Sequence, residues 1–272
     1  MAYTLSWETK NPGLMVFLVD QSTSMDEKLG NKKKSEVVVD CTKSILDNLV
    51  GECQKKMAIR NKFTCIIIGY HTDAEVIFKG NAPTVSDYLD KGKPILEAKA
   101  KGLTNMEEAF LKAADEIINW VNIQQQAGKP TPAPHVVNIT DGHPEMRGVS
   151  DDEAMKRAEN AAKKLMSIQT VDGNVLLSNV FIHDSDIKFP NRIEEIREKI
   201  HNEFDRKRAE FLFRISSSLT ETLVVNASSY GMATTIGSSM LLCSNNPKDI
   251  LNFMDFASHH QNSVEDDPYP IG

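Results

Sequence analysis

Apolar positions along the chain alternate between short unbroken runs and longer runs with helical periodicity. Leu14-Met15-Val16-Phe17-Leu18-Val19 is continuously apolar and ends at Asp20, the pattern of a strand covered on both faces. From Ser35 to Leu49, the residues Val38, Thr42, Ile45 and Leu49 recur at three- and four-residue steps, which predicts a helix stopped by Gly51. Phe63 to Tyr70 is rich in β-branched residues and reads as a second strand. Thr72-Asp73 then turns the chain into Ala74 to Phe78, a third strand antiparallel to the second at a sheet edge. Thr104 precedes an amphipathic run to about Gln126, with Ala109, Ala113, Ile117 and Trp120 on its apolar face. Thr104 suits the N-cap of that helix, and Glu107 three residues later completes a capping box.

Lys129 to Pro134 carries alternating prolines and forms a stiff connector. Val136 to Thr140 is a fourth strand ending at Asp141-Gly142, Asp151 to Ile168 an Ala-rich helix, and Val175 to Ile182 a fifth strand. Arg192 to Arg208 reads as one helix with both signs of charge on nearly every side, hence solvated or facing a partner. Leu219 to Tyr230 is helical with Gly231 as its stop, Ser239 to Leu242 is a sixth strand, and Pro247 to Ser258 is a last helix with proline at N1. Alternating strands and helices predict an α/β fold with a doubly wound, mostly parallel six-stranded sheet and one antiparallel edge strand. The expected organisation is a lead-in over residues 1–12, one domain over 13–260 and a flexible acidic tail over 261–272.

Composition narrows the function classes. The chain has 272 residues, 40% hydrophobic and 25% charged, which excludes wholesale disorder and disulfide scaffolds. No apolar run approaches the roughly 18–20 residues that span a bilayer, and no secretory signal pattern opens the chain, so a soluble cytoplasmic protein without membrane contact is expected. A net charge of −7 argues against nucleic-acid binding. The short basic run Lys32-Lys33-Lys34 reads as the solvated flank of a helix. Cys41, Cys53, Cys65 and Cys243 show no C-x-x-C pairing, so zinc is disfavoured.

Three polar clusters fall where a doubly wound fold places its ligands, beyond the carboxyl ends of parallel strands. They are Asp20-Gln21-Ser22-Thr23-Ser24 after the first strand, Thr104, and Thr140-Asp141-Gly142 after the fourth. At i, i+2 and i+4 of an extended segment, Asp20, Ser22 and Ser24 project to one side. These hard oxygens, without thiolate or imidazole, select Mg²⁺ or Mn²⁺. His143 and Glu145 lie just beyond Asp141, where they either border the ion or belong to a solvated loop. D-x-S-x-S, a lone threonine and Asp-Gly are each weak signals; their conjunction in this order is strong.

At these residues the sequence resembles the von Willebrand factor A (vWA) family with its metal-ion-dependent adhesion site, from about Gly13 to Ser258. The resemblance implies helices on both faces of the sheet. It also implies that Asp20, Ser22, Ser24, Thr104 and Asp141 hold the metal, Mg²⁺ or Mn²⁺ with Ca²⁺ an alternative. Val16 to Met25 and Val137 to Gly142 look most like intracellular bacterial members, including vWA proteins encoded beside tellurite-resistance, kinase and phosphatase genes. Two departures stand out. Gln21 replaces the usual small residue of the motif, and residues 183–217 exceed what the family needs there, resembling a charged helical insert that covers the sheet edge or contacts a partner.

Position 22 is serine where a haloacid-dehalogenase-like phosphatase needs its second aspartate, and neither a P-loop nor a dinucleotide fingerprint is present. The expectation is therefore a non-enzymatic, metal-dependent module that binds an acidic residue of a protein partner. Its setting would be a bacterial stress-response or regulatory complex with a kinase, phosphatase or ATPase encoded nearby. The alternative is a metal-dependent phosphoesterase or nuclease using Asp20 and Asp141.

Overall fold

The computed structural model describes residues 3–258. Seven strands form the central sheet: β1 (Gly13–Asp20), β2 (Phe63–Tyr70), β3 (Ala74–Asn81), β4 (His135–Thr140), β5 (Leu176–Phe181), β6 (Ile187–Lys188) and β7 (Leu241–Cys243). Their order is β6-β7-β5-β4-β1-β2-β3. The β2–β1, β1–β4, β4–β5 and β5–β7 pairs are parallel, whereas β3 and β6 run antiparallel at the two edges. The six-strand expectation with one antiparallel edge is thus short by β6. That strand has two residues and exists only through pairing of Ile187 with Cys243 and Lys188 with Leu242. No periodicity can register so short an element.

Every residue of β1 is buried, and its pleat divides the interior in two. Met15, Phe17 and Val19 face one apolar core, while Leu14, Val16 and Leu18 face the other. The helices follow this partition. The first core takes α1 (Lys34–Cys53), α2 (Ala82–Asp90), α7 (Glu221–Ser229) and α8 (Pro247–Ser258). The second takes α3 (Met106–Gln126), α4 (Asp151–Met166), α5 (Ile193–Lys199) and α6 (Glu203–Ile215).

Local signals and packing disagree in a few places. α1 runs through Gly51 to Cys53, because Cys53 is buried in the first core and no atom crowds the exposed glycine. The charged segment from Arg192 is two helices, since Asn202 caps α6 by accepting from the Phe204 and Asp205 amides. Nor is that segment merely solvated: Ile196, Ile200, Ala209, Phe211, Leu212 and Ile215 complete the second core, and charge is confined to the outward positions. The lead-in is strapped down by the Thr4 and Leu5 amides, which donate to Asp172, and the Trp7 ring leaves no room for a β-carbon at Gly13. His259, His260 and the tail over 261–272 lie outside the described residues.

A buried polar chain crosses the sheet. The Tyr70 hydroxyl donates to Asn138 Oδ1 (2.8 Å), Asn138 Nδ2 to Asn179 Oδ1 (2.9 Å), and Asn179 Nδ2 to Ser216 Oγ (2.9 Å) at the end of α6. Chain connectivity reverses direction between β1 and β4, so their carboxyl ends flank a topological switch point. Asp20 ends one of these strands and Thr140 the other.

Candidate metal centre

Asp20 is fully buried, and each of its carboxylate oxygens is held. Oδ1 accepts from the Ser22 amide at 2.7 Å and Oδ2 from the Thr140 hydroxyl at 2.6 Å. Thr140 Oγ1 in turn accepts from the Gly142 amide at 3.0 Å, which fixes the first turn beyond β4. The segment after β1 is extended at Ser22 and then tightens into a single 3₁₀ turn, Thr23–Asp26. This path brings Ser24 Oγ to 3.1 Å from Ser22 Oγ and lets it donate to Asp141 Oδ1 at 2.7 Å.

The Thr104 loop closes the other side. Its backbone is pinned by Lys101 N–H to Gln21 O (2.7 Å), Thr23 N–H to Gly102 O (3.3 Å) and Glu145 N–H to Thr104 O (2.9 Å). Thr104 is buried, and a β-carbon at position 142 would lie 3.3 Å from its Oγ1 and 3.8 Å from Asp20 Oδ2. Gly142 therefore allows the Thr104 hydroxyl and the Asp20 carboxylate to approach the third loop. The N-cap of α3 is Asn105, not Thr104: its side chain accepts from the Glu108 amide at 3.3 Å and donates to the Glu108 carboxylate. The capping pair is shifted by one residue, which frees the Thr104 hydroxyl from capping.

All five residues singled out in the sequence thus gather at the switch point. Their charges are costly there. Burial, and secondarily the neighbouring Asp141 carboxylate, push the Asp20 carboxyl up to about 7 against the opposing hydrogen bonds from Thr140 and Ser22. The chemistry of the donor set fits a hard divalent cation, with two carboxylates and three hydroxyls and no sulfur or imidazole among them. Among the described residues no group of three His, Cys, Asp or Glu side chains is arranged to hold a metal ion, so a cation at this site would depend on the hydroxyls.

Three participants are not apparent from the motif. Thr140 supplies the hydroxyl that holds Asp20. Lys34, expected on a solvated flank, extends its ammonium to Asp141 Oδ2 at 2.6 Å and to Glu27 Oε2 at 2.6 Å. Its neighbours Lys32 and Lys33 do lie at the surface, paired with Asp40 and Asp26. A cation at the first position of a helix opposes the macrodipole, and that local misfit is the sequence signal for a nearby anion. The third is Arg208 of α6, whose Nε donates to His143 Nδ1 at 3.3 Å while its guanidinium lies 3.9 Å from the Phe204 ring centroid. Burial and Arg208 hold the His143 imidazole below its usual range, and its Nδ1 accepts the hydrogen bond that joins α6 to the loop after β4. Glu145 is exposed. The Gln21 amide is buried beside Gly69 and Ile77, on the β2 side of the loop, with no hydrogen-bond partner among the described residues.

No protein-family model matches the sequence, and no curated protein matches it. Solved structures do match in fold. The pilus adhesin SpaC from Lactobacillus rhamnosus GG superposes with a TM-score of 0.56 at 12% identity, over 91% of this chain and 31% of that one. Proximal thread matrix protein 1 from the mussel byssus gives 0.52 at 14% identity, over 92% and 48%. The PilB minor pilin from Streptococcus sanguinis gives 0.50 at 12% identity, over 91% and 61%. This chain spans less than two thirds of each, and at such identities the likeness is one of fold alone. Among the described residues no helix is long and apolar enough to cross a membrane.

Proposed function

We propose that this chain is a vWA-type protein-interaction module that captures an acidic side chain of a partner through a divalent cation, Mg²⁺ or Mn²⁺, held by Asp20, Ser22, Ser24, Thr104 and Asp141. The observation that carries the reading is the convergence of these residues, from three loops, at the switch point of a doubly wound sheet. A cation bound there supplies Lewis acidity and a coordination position for a carboxylate. The residues of the chain do the rest. Asp20 is positioned by Ser22 and Thr140, Ser24 orients Asp141, and Gly142 admits the Thr104 hydroxyl. Hydroxyls are neutral donors, so the set leaves a divalent ion net positive charge, and this favours an acidic partner.

Capture rather than hydrolysis is supported by the composition of the set: with both carboxylates assigned to the cation, the three remaining groups are hydroxyls, and none of them is a general base. Four unpaired, buried cysteines support a reducing cytoplasmic setting. Membership of a bacterial regulatory complex rests on the sequence resemblance.

The test is a titration of chelator-treated protein with Mn²⁺, read by electron paramagnetic resonance, alongside Asp20→Ala and Thr104→Ala. One saturable site that Asp20→Ala abolishes is expected, as is Mg²⁺-dependent retention of a Glu-containing partner that EDTA releases. Binding of equal strength in the folded Asp20→Ala variant, or turnover of a generic phosphoester with Mn²⁺, would sink the reading.

A further inference from the structure

Lys34 is placed against local preference. It opens α1, where the helix dipole disfavours a cation, and its side chain is only 14% exposed. The arrangement is offset by two carboxylates that differ in environment. Asp141 is 1% exposed and takes the ammonium from inside; Glu27 is 67% exposed and takes it from the solvent side. A buried charge-assisted hydrogen bond of this kind is among the stronger polar contacts in a protein.

The same carboxylate is one of the five groups assigned above to the cation. Asp141 Oδ1 is already taken by Ser24, so Lys34 claims the remaining oxygen. An ammonium within hydrogen-bond distance of that oxygen and a divalent ion drawing on the same carboxylate would be like charges a few ångströms apart, in a site where water screens poorly. Coexistence is therefore disfavoured and exchange favoured. Glu27 stands ready on the outer side as the anchor that Lys34 retains when it leaves Asp141.

We propose that Lys34 is a built-in competitor for the cation: its ammonium occupies Asp141 in the ion-free protein and withdraws toward Glu27 on loading, so that this one residue sets the ion concentration at which the module becomes active. The proposal rests on the cation-binding reading above. Lys34 does not touch the partner; it acts through Asp141, and so it is a positioning residue.

Two measurements test it. In Mn²⁺ titrations of wild type, Lys34→Met and Lys34→Arg, the Met variant binds at least about tenfold tighter, the change that loss of one charge-assisted hydrogen bond in the ion-free state implies, and the Arg variant stays near wild type. Equal or weaker binding by Lys34→Met overturns the proposal and leaves the cation-binding reading standing. Absence of binding in all three proteins overturns both. Because Lys34→Met strips Asp141 of its buried partner and could impair folding, the second measurement uses wild type alone. The side-chain methylene resonances of Lys34, followed by NMR, shift on saturation with Mg²⁺ while those of Lys32 and Lys33 do not. A Lys34 signal unmoved at saturation overturns the proposal.

Discussion

Thr140→Val is the sharpest probe of how the site is built. The substitution is close to isosteric and lies outside the five residues assigned to the cation, so it perturbs support rather than coordination. The structure gives its magnitude. The hydroxyl donates to Asp20 Oδ2 at 2.6 Å and accepts from the Gly142 amide at 3.0 Å, and both atoms are buried. Removing the first leaves a carboxylate oxygen without its donor, at about 1.5–3 kcal/mol for a hydrogen bond to a charged group. Removing the second strands a backbone N–H, at about 1–3 kcal/mol. Relief from burying one hydroxyl and gain of a methyl contact return part of this, so a net loss of about 3 kcal/mol is expected. At about 2–4 °C per kcal/mol for a chain of this size, the melting temperature falls by roughly 6–12 °C. The assay is urea unfolding in EDTA, followed by both fluorescence and circular dichroism to check two-state behaviour, with Thr140→Ser as the variant that restores the hydroxyl. A loss below about 0.5 kcal/mol for Thr140→Val, within the range of neutral surface changes, refutes the claim that Thr140 anchors Asp20.

Other substitutions read other joints of the site. Gly142→Ala places a β-carbon 3.3 Å from Thr104 Oγ1, close enough that the threonine must give way. Mn²⁺ affinity measured by calorimetry should fall several-fold with little change in unfolding free energy, and unchanged affinity would remove Thr104 from the donor set. Tyr70→Phe leaves Asn138 Oδ1 without its donor in the middle of the sheet and should cost about 1–3 kcal/mol in urea unfolding; a neutral result means the polar chain is dispensable. Burial raises the Cys41 and Cys53 thiols to about 11 and those of Cys65 and Cys243 well above the usual thiol range. Iodoacetamide at pH 8, followed by mass spectrometry, should label none of the four at a rate approaching that in urea; rapid native labelling of Cys65 would contradict its place in the first core.

Elements that draw on their own periodicity are legible from the sequence. β2 spans Phe63–Tyr70 and α8 spans Pro247–Ser258, as β-branched content and an N1 proline indicate. Elements defined by partners elsewhere are not. β6 needs β7 beside it, and α2 buries only Ala82 and Val85, too few for an amphipathic stripe, although Asn81 and Pro83 mark its start. The segment from Arg192 to Arg208 misleads because charge density masks a narrow apolar seam, Ile196 and Ile200, continued just beyond it by Ala209, that becomes visible only once α5 packs on α6 and β6, and α6 on α4 and β5.

The site divides along the same line. Convergence of Asp20, Ser22 and Ser24 is a property of five consecutive residues leaving a strand, and the other two loops follow from where a doubly wound fold ends its strands. What the motif omits is its charge balance. Two carboxylates buried side by side need a positive charge, and the residue that provides it is Lys34, 107 positions before Asp141 in the chain. A motif names groups that converge on a ligand; it is silent on groups that stand in for the ligand when none is bound. The Lys34 ammonium lies on the inner carboxylate at 2.6 Å and on an exposed glutamate at the same distance, so it balances the Asp141 charge from within the chain. On the proposed reading, that balance must be undone before Asp141 can serve a divalent ion, so Lys34 and the donor groups together set the affinity of this site.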